Sequence, residues 1–108
     1  MVGRVCLAKI IYTDISDSKI RPILIIRKNS FDDYIYIPIT SQNENQEILE
    51  INNTHFESGF IKKTSYLILD KLCAISSDLL DREIGKVTDD YFEIVLKKYC
   101  QNFYKSQS

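Results

Sequence analysis

Side chains able to do chemistry unaided are scarce in this sequence. The only histidine, His55, lies in a polar stretch between Asn52 and Gly59. Imidazole is a good base near neutrality, but nothing close in sequence pairs with it, and a surface position is expected. Cys6, Cys73 and Cys100 are odd in number, widely spaced and each set in an apolar segment. That pattern reads as buried thiols in a reducing compartment rather than as a disulfide or a nucleophile. There is no Cys-x-x-Cys pair, so a zinc site would lack ligands, and no metal or other cofactor is expected. Lys62-Lys63 would serve as phosphate contacts or equally as solvated charges. The seven tyrosines could stack on bases, although Tyr34 and Tyr36 alternate within one run and should face the core. Read alone, Arg21 is a strand-edge arginine, Thr40-Ser41 ends a strand, and Asp70-Lys71 is a bulge with solvated charges.

A chain of 108 residues has room for one domain and one core, expected over residues 1–104 with a short polar tail at 105–108. At this size only about two-thirds of the unfolded surface is buried on folding, so dimerisation is expected to help. The 44% hydrophobic and 27% charged content argues against disorder. A net charge of −1 excludes a protein held to nucleic acid by bulk electrostatics. The charge is uneven, however: +2 over residues 1–40, −4 over 41–60, where Glu44, Glu47, Glu50 and Glu57 meet no Lys or Arg, and +1 over 61–108. No apolar run reaches the roughly 20 residues of a membrane span. Met1-Val2-Gly3-Arg4 has no signal-peptide character, so a cytoplasmic location is expected.

The elements that would position these groups are mostly strands. Val5–Ile11 is rich in β-formers, and Tyr12–Lys19 is a polar loop. Arg21-Pro22 opens the aliphatic run Ile23–Arg27, with proline tolerated as a first strand residue. After a turn at Asn29–Asp33, Tyr34–Ile39 alternates and ends in Thr40-Ser41. Gln42–Gln46 is a loop, Glu47–Ile51 a short strand, Asn52-Asn53 a turn and Gly59 a bend. Thr64–Ile75 is a long strand interrupted at Asp70-Lys71. Ser76-Ser77 caps one helical turn over Asp78–Arg82. Thr88 caps a longer helix whose first turn holds Asp89 and Asp90. Its apolar face is Tyr91, Phe92, Val95, Leu96, Tyr99 and Phe103, with a frayed tail from Lys105. A mostly β chain with a C-terminal helix folded as a small, partly closed barrel is expected.

Five short segments in order carry a resemblance. They are Gly3-x-Val5; Lys19-Ile20-Arg21-Pro22; Ile37-Pro38-Ile39-Thr40-Ser41; Gly59–Tyr66 followed by Leu69-Asp70-Lys71-Leu72; and Ile84-Gly85-Lys86-Val87. Together they resemble the MazF/PemK (Kid) family of type II toxins over nearly the whole chain. The resemblance implies an SH3-like barrel of the CcdB/PemK kind that forms a homodimer with an RNA groove along its interface. It further implies sequence-specific, metal-independent cleavage of single-stranded RNA, inhibited by a cognate antitoxin in the same groove. In that family the Arg of the Arg-Pro pair and the hydroxyl closing the third strand are catalytic, which maps onto Arg21 and Thr40. Asp70 matches an acid that acts in some relatives, and Lys19, Ser41, Lys62, Lys63 and Thr64 fall where RNA contacts are implied. The sequence departs from the pattern at Ile68, where some relatives carry an Arg, and at Arg4, where an acid is usual.

Those residue types suit the implied reaction. Attack by a ribose 2′-hydroxyl builds charge on the non-bridging oxygens, to which a permanently charged guanidinium offers planar paired donors. A hydroxyl beside it can donate to the same phosphate or orient the attacking group, and a carboxylate can accept the 2′-hydroxyl proton. Two other readings stay open on the same barrel: a CcdB-like toxin that binds DNA gyrase, and an inactive member that only binds RNA or its antitoxin.

Overall fold

The computed structural model describes residues 2–11, 18–43 and 47–107; the expected loops across 12–17 and 44–46 lie outside these. Among the described residues eight strands precede one helix: β1 Arg4–Ile11, β2 Ser18–Lys28, β3 Asp33–Thr40, β4 Ile48–Ile51, β5 Phe56–Gly59, β6 Ser65–Ile68, β7 Cys73–Ser76, β8 Leu80–Val87 and α1 Asp89–Gln107. They form one antiparallel sheet in the order β4-β6-β3-β2-β1-β8-β5, with β7 also paired to β3, curled into a half-barrel. The expected class, mostly β with a C-terminal helix, is the one adopted.

The sheet buries both faces. On one, Val5, Leu24, Ile37, Ile39, Leu67 and Val87 pack under Tyr91 and Val95 of α1. On the other, Cys6, Ala8, Ile23, Ile25, Tyr36 and Ile75 form a second cluster, with Leu79 and Leu80 against it. The cover comes from topology: β7 pairs with β3, β8 begins beside β1, and the 3-10 turn Ser77–Leu79 joins them across β2. Burial on both faces explains the unbroken aliphatic run of β2. Each fully buried Ile or Leu here contributes about 1.5–3 kcal/mol.

Several boundaries differ from the sequence reading. The turn after Ser76 lasts three residues, because Leu80–Val87 is drawn into pairing with β1 and β5 instead of coiling to Arg82. The run from Thr64 to Ile75 is interrupted at Asp70-Lys71 as expected: β6 and β7 flank that turn and pair in succession with β3. β2 begins at Ser18, so Pro22 lies inside it, opposite Leu7. Phe56–Gly59 is a strand made possible by close approach: Gly59 pairs with Gly85, and a Cβ on Gly59 would meet the Ile84 carbonyl oxygen at 2.1 Å.

α1 starts as expected, with Thr88 Oγ1 accepting the Tyr91 N–H at 3.1 Å. Its backbone stays helical through Gln107, where a frayed tail was expected; the Phe103 side chain and Ser108 lie outside the described features. Leu96, expected on the buried face, is 37% exposed. Tyr91 pins the helix to the sheet by donating its hydroxyl to the Glu50 carbonyl at 2.6 Å.

Candidate functional site

Arg21 and Thr40 each lie two residues beyond the last pair of the β2–β3 ladder. The β2–β3 ladder pairs Ile25 with Tyr36, Leu24 with Ile37 and Ile23 with Pro38; carried two residues further, it would set Arg21 opposite Thr40. On its other edge β3 pairs there with β6, Ile39 with Leu67 and Thr40 with Tyr66. Pro38 occupies the changeover between β7, which pairs up to Tyr36, and β6. A residue without an N–H fits where a ladder breaks.

Parity fixes the face. Side chains alternate along a strand, and directly opposed residues share a face. Arg21, opposite Ala8, follows Ile23 and Ile25, which point away from α1. Thr40 alternates with buried Ile37 and Ile39, and Tyr66 and Ile68 alternate with buried Ser65 and Leu67. Arg21, Thr40, Tyr66 and Ile68 therefore project from the face opposite α1. Arg21 is exposed, and among the described residues no carboxylate pairs with it. Thr40 is half-buried, and its Oγ1 accepts the Gln42 N–H at 3.2 Å. One of its two lone pairs is so occupied, and its hydroxyl proton remains available to donate to a phosphate.

The other expected site residues divide. Lys19 precedes Arg21 by two on the same strand face, and Ser41 follows Thr40; both are exposed. Lys62, Lys63 and Thr64 are exposed in the bend that leads into β6, where Ser65 Oγ donates to the Lys63 carbonyl at 3.1 Å. That puts them just ahead of Tyr66, beside Thr40. Asp70 sits in the β6–β7 turn, closed by Lys71 N–H donating to the Ile68 carbonyl at 3.3 Å. It is exposed, and no hydrogen bond or ion pair among the described residues ties it to Arg21 or Thr40.

Tyr66 is the residue that sequence reasoning passed over. The Tyr66/Ile68 alternation against Ser65/Leu67 signals its outward face, but its place beside Thr40 depends on a pairing between strands far apart in sequence. Tyr34 and Tyr36, by contrast, pack against the second cluster. Burial, then the neighbouring Cys73, pushes the Tyr36 hydroxyl up to about 12.

His55 is a structural residue and not an exposed loop side chain. It ends the 3-10 turn Asn53–His55, its Nδ1 accepts the Asn52 N–H at 3.1 Å, and its ring stacks on Tyr91 with centroids 4.1 Å apart. Burial lowers its pKa, with Glu50 opposing more weakly. Arg4 is held by Glu83 across the β1–β8 pair at 2.6 Å, four residues along β1 from Arg21's partner Ala8. Of the thiols, only Cys6 is buried as expected, and burial raises its pKa; Cys73 is half-buried and Cys100 is exposed. Among the described residues, no helix is long and apolar enough to cross a membrane.

Known structures share this arrangement of strands and helix. The Mycobacterium tuberculosis toxin MazF-mt6 is similar with a TM-score of 0.70 at 20% identity, over 94% of this chain and 96% of that one. An endoribonuclease in complex with its cognate antitoxin, from a mycobacterial species, is similar with a TM-score of 0.65 at 16% identity, over 94% and 91%. The comparison with curated proteins finds no match. Residues 3–103 match the model of one sequence family. The chain belongs to that family, the PemK-like, MazF-like toxins of type II toxin–antitoxin systems.

Proposed function

We propose that this toxin is a sequence-specific endoribonuclease that cuts single-stranded RNA without a metal ion. The observation that carries the reading is the placement of Arg21 and Thr40. Each lies two residues beyond the last β2–β3 pair, on the face that also bears Tyr66. Arg21 donates to the non-bridging oxygens of the scissile phosphate and stabilises the charge of the phosphorane. Thr40 donates its hydroxyl proton to the same phosphate. The 2′-oxygen attacks phosphorus, its proton passes to a base, the P–O5′ bond breaks and the 5′-oxygen takes up a proton. The products are a 2′,3′-cyclic phosphate and a 5′-hydroxyl. Asp70, exposed in the β6–β7 turn, is the carboxylate assigned as base. Lys19, Ser41, Lys62, Lys63 and Thr64 line the approach as phosphate and sugar contacts, and Tyr66 stacks on a base beside the cut.

The working form in this reading is a cytoplasmic homodimer, and a cognate antitoxin silences it by covering the same face. The similarity to an endoribonuclease held by its antitoxin supports that partner. The test is product chemistry: RNA digested in EDTA should yield fragments whose 5′ ends accept phosphate from polynucleotide kinase without prior dephosphorylation. Fragments ending in 5′-phosphate, or digestion that stops on chelation, would count against 2′-hydroxyl attack.

A further inference from the structure

β4 ends the sheet and is paired on one side only, with β6. Its outward hydrogen-bonding groups can be assigned from their neighbours. The Glu47 carbonyl accepts from Leu69 N–H at 2.8 Å, so residues 47, 49 and 51 turn toward β6, and Ile48 and Glu50 turn away. The outward row is closed at one end, where the Glu50 carbonyl takes the Tyr91 hydroxyl and Asn52 exchanges hydrogen bonds with His55. Among the described residues, the Ile48 N–H and carbonyl and the Glu50 N–H take no partner. Unpaired strand groups of this kind are a template for an added strand.

An apolar cleft of about 410 Å³ adjoins this edge, between β4, the 53–55 turn and the start of α1. Leu49, Tyr91 and Ile94 supply apolar walls, and Ile94 is 47% exposed. Glu50 and Asp90 are the charged lining residues, and no Lys or Arg joins them. Burial holds His55 toward its neutral form. The surrounding segment, residues 41–60, carries −4. Leu49, Tyr91 and Ile94 lie on the α1 side of the sheet, whereas Glu50 stands at the edge opposite Tyr66, its carboxylate accepting from Asn52 Nδ2 at 2.6 Å; the anionic rim disfavours RNA as the occupant.

We propose that the β4 edge and this cleft take an extended segment of a partner protein in which an aliphatic side chain is flanked by lysines or arginines. The segment's backbone pairs with Ile48 and Glu50, its aliphatic side chain enters the cleft against Leu49 and Ile94, and its cations meet Glu50 and Asp90. This surface is independent of the nuclease reading, and its test uses binding alone.

The probe is the peptide acetyl-Lys-Val-Lys-Val-Lys-amide, titrated into the full-length ¹⁵N-labelled protein. Its controls are the Glu-Val-Glu-Val-Glu counterpart and a version with alternate amides N-methylated. Saturable shifts are expected at Ile48, Glu50 and Ile94 with the basic peptide only. The double variant Glu50→Lys/Asp90→Lys should weaken binding about tenfold, two exposed charge pairs being reversed. Equal binding of the acidic or N-methylated peptide would overturn the proposal. So would shifts confined to the Arg21 face, no shifts at millimolar peptide, or self-association of the protein through β4, which would make a second copy the occupant.

Discussion

Thr40 and Tyr66 stand directly opposite each other at the end of β3, on the edge where β6 follows β7. Opposed residues in an antiparallel pair bring their Cβ atoms within about 5.5 Å on one face. A hydroxyl and an aromatic ring are thus neighbours by register, with no loop needed to join them.

Tyr66→Ala should therefore raise KM for single-stranded RNA, by roughly 5- to 150-fold if one base loses its stacking platform. Tyr66→Phe should keep most of the affinity. Steady-state kinetics on one short RNA reads the difference, and equal losses in both variants would assign the hydroxyl rather than the ring.

Thr40 Oγ1 accepts the Gln42 N–H and keeps its own proton to donate. Thr40→Val should lower kcat on the order of a hundredfold, the usual cost of one lost transition-state donor, and Thr40→Ser should restore much of it. A Val variant with normal kcat would remove Thr40 from the chemistry.

Acid should destabilise the fold through His55. Burial depresses its pKa from 6.5, so the unfolded chain binds a proton that the folded chain resists. Stability is then full above 6.5 and falls as pH drops toward the lowered folded value. Melting curves from pH 7.5 to 5 should show this loss, and His55→Gln should flatten it relative to the parent. An identical slope in the variant would place the acid sensitivity elsewhere.

Gly59 has φ +74°, and a Cβ there would meet the Ile84 carbonyl. Gly59→Ala should cost about 2–5 kcal/mol from strain and overpacking. The melting temperature should fall by about 10 °C or more, and Ser58→Ala should change little. A near-normal melt for Gly59→Ala would mean that β5 can withdraw from β8 cheaply.

The residues that were legible early are those whose signals are local. The cap and acidic first turn of α1, the doubly buried run of β2 and the core-facing Tyr34 and Tyr36 follow from composition and periodicity over a few residues. What escaped was set by distant pairing. Part of Leu80–Val87 reads as a helical turn because Ser76-Ser77 and Asp78 do cap a 3-10 turn; only the edges of β1 and β5 extend the chain beyond Leu79. His55 reads as solvated because Tyr91, its stacking partner, lies in another element. The candidate site is intermediate. Its residue types are readable through motif order, but the shared face of Arg21, Thr40 and Tyr66 depends on β3 lying between β2 and β6.

The central claim is tested most directly by incubating the purified, antitoxin-free protein with a long single-stranded RNA in EDTA and mapping the product ends, beside Arg21→Ala and Thr40→Ala variants of unchanged melting temperature. The expected result is discrete cuts at one short sequence that disappear in both variants. Intact RNA with the parent protein, or the same cuts with Arg21→Ala, would contradict the account.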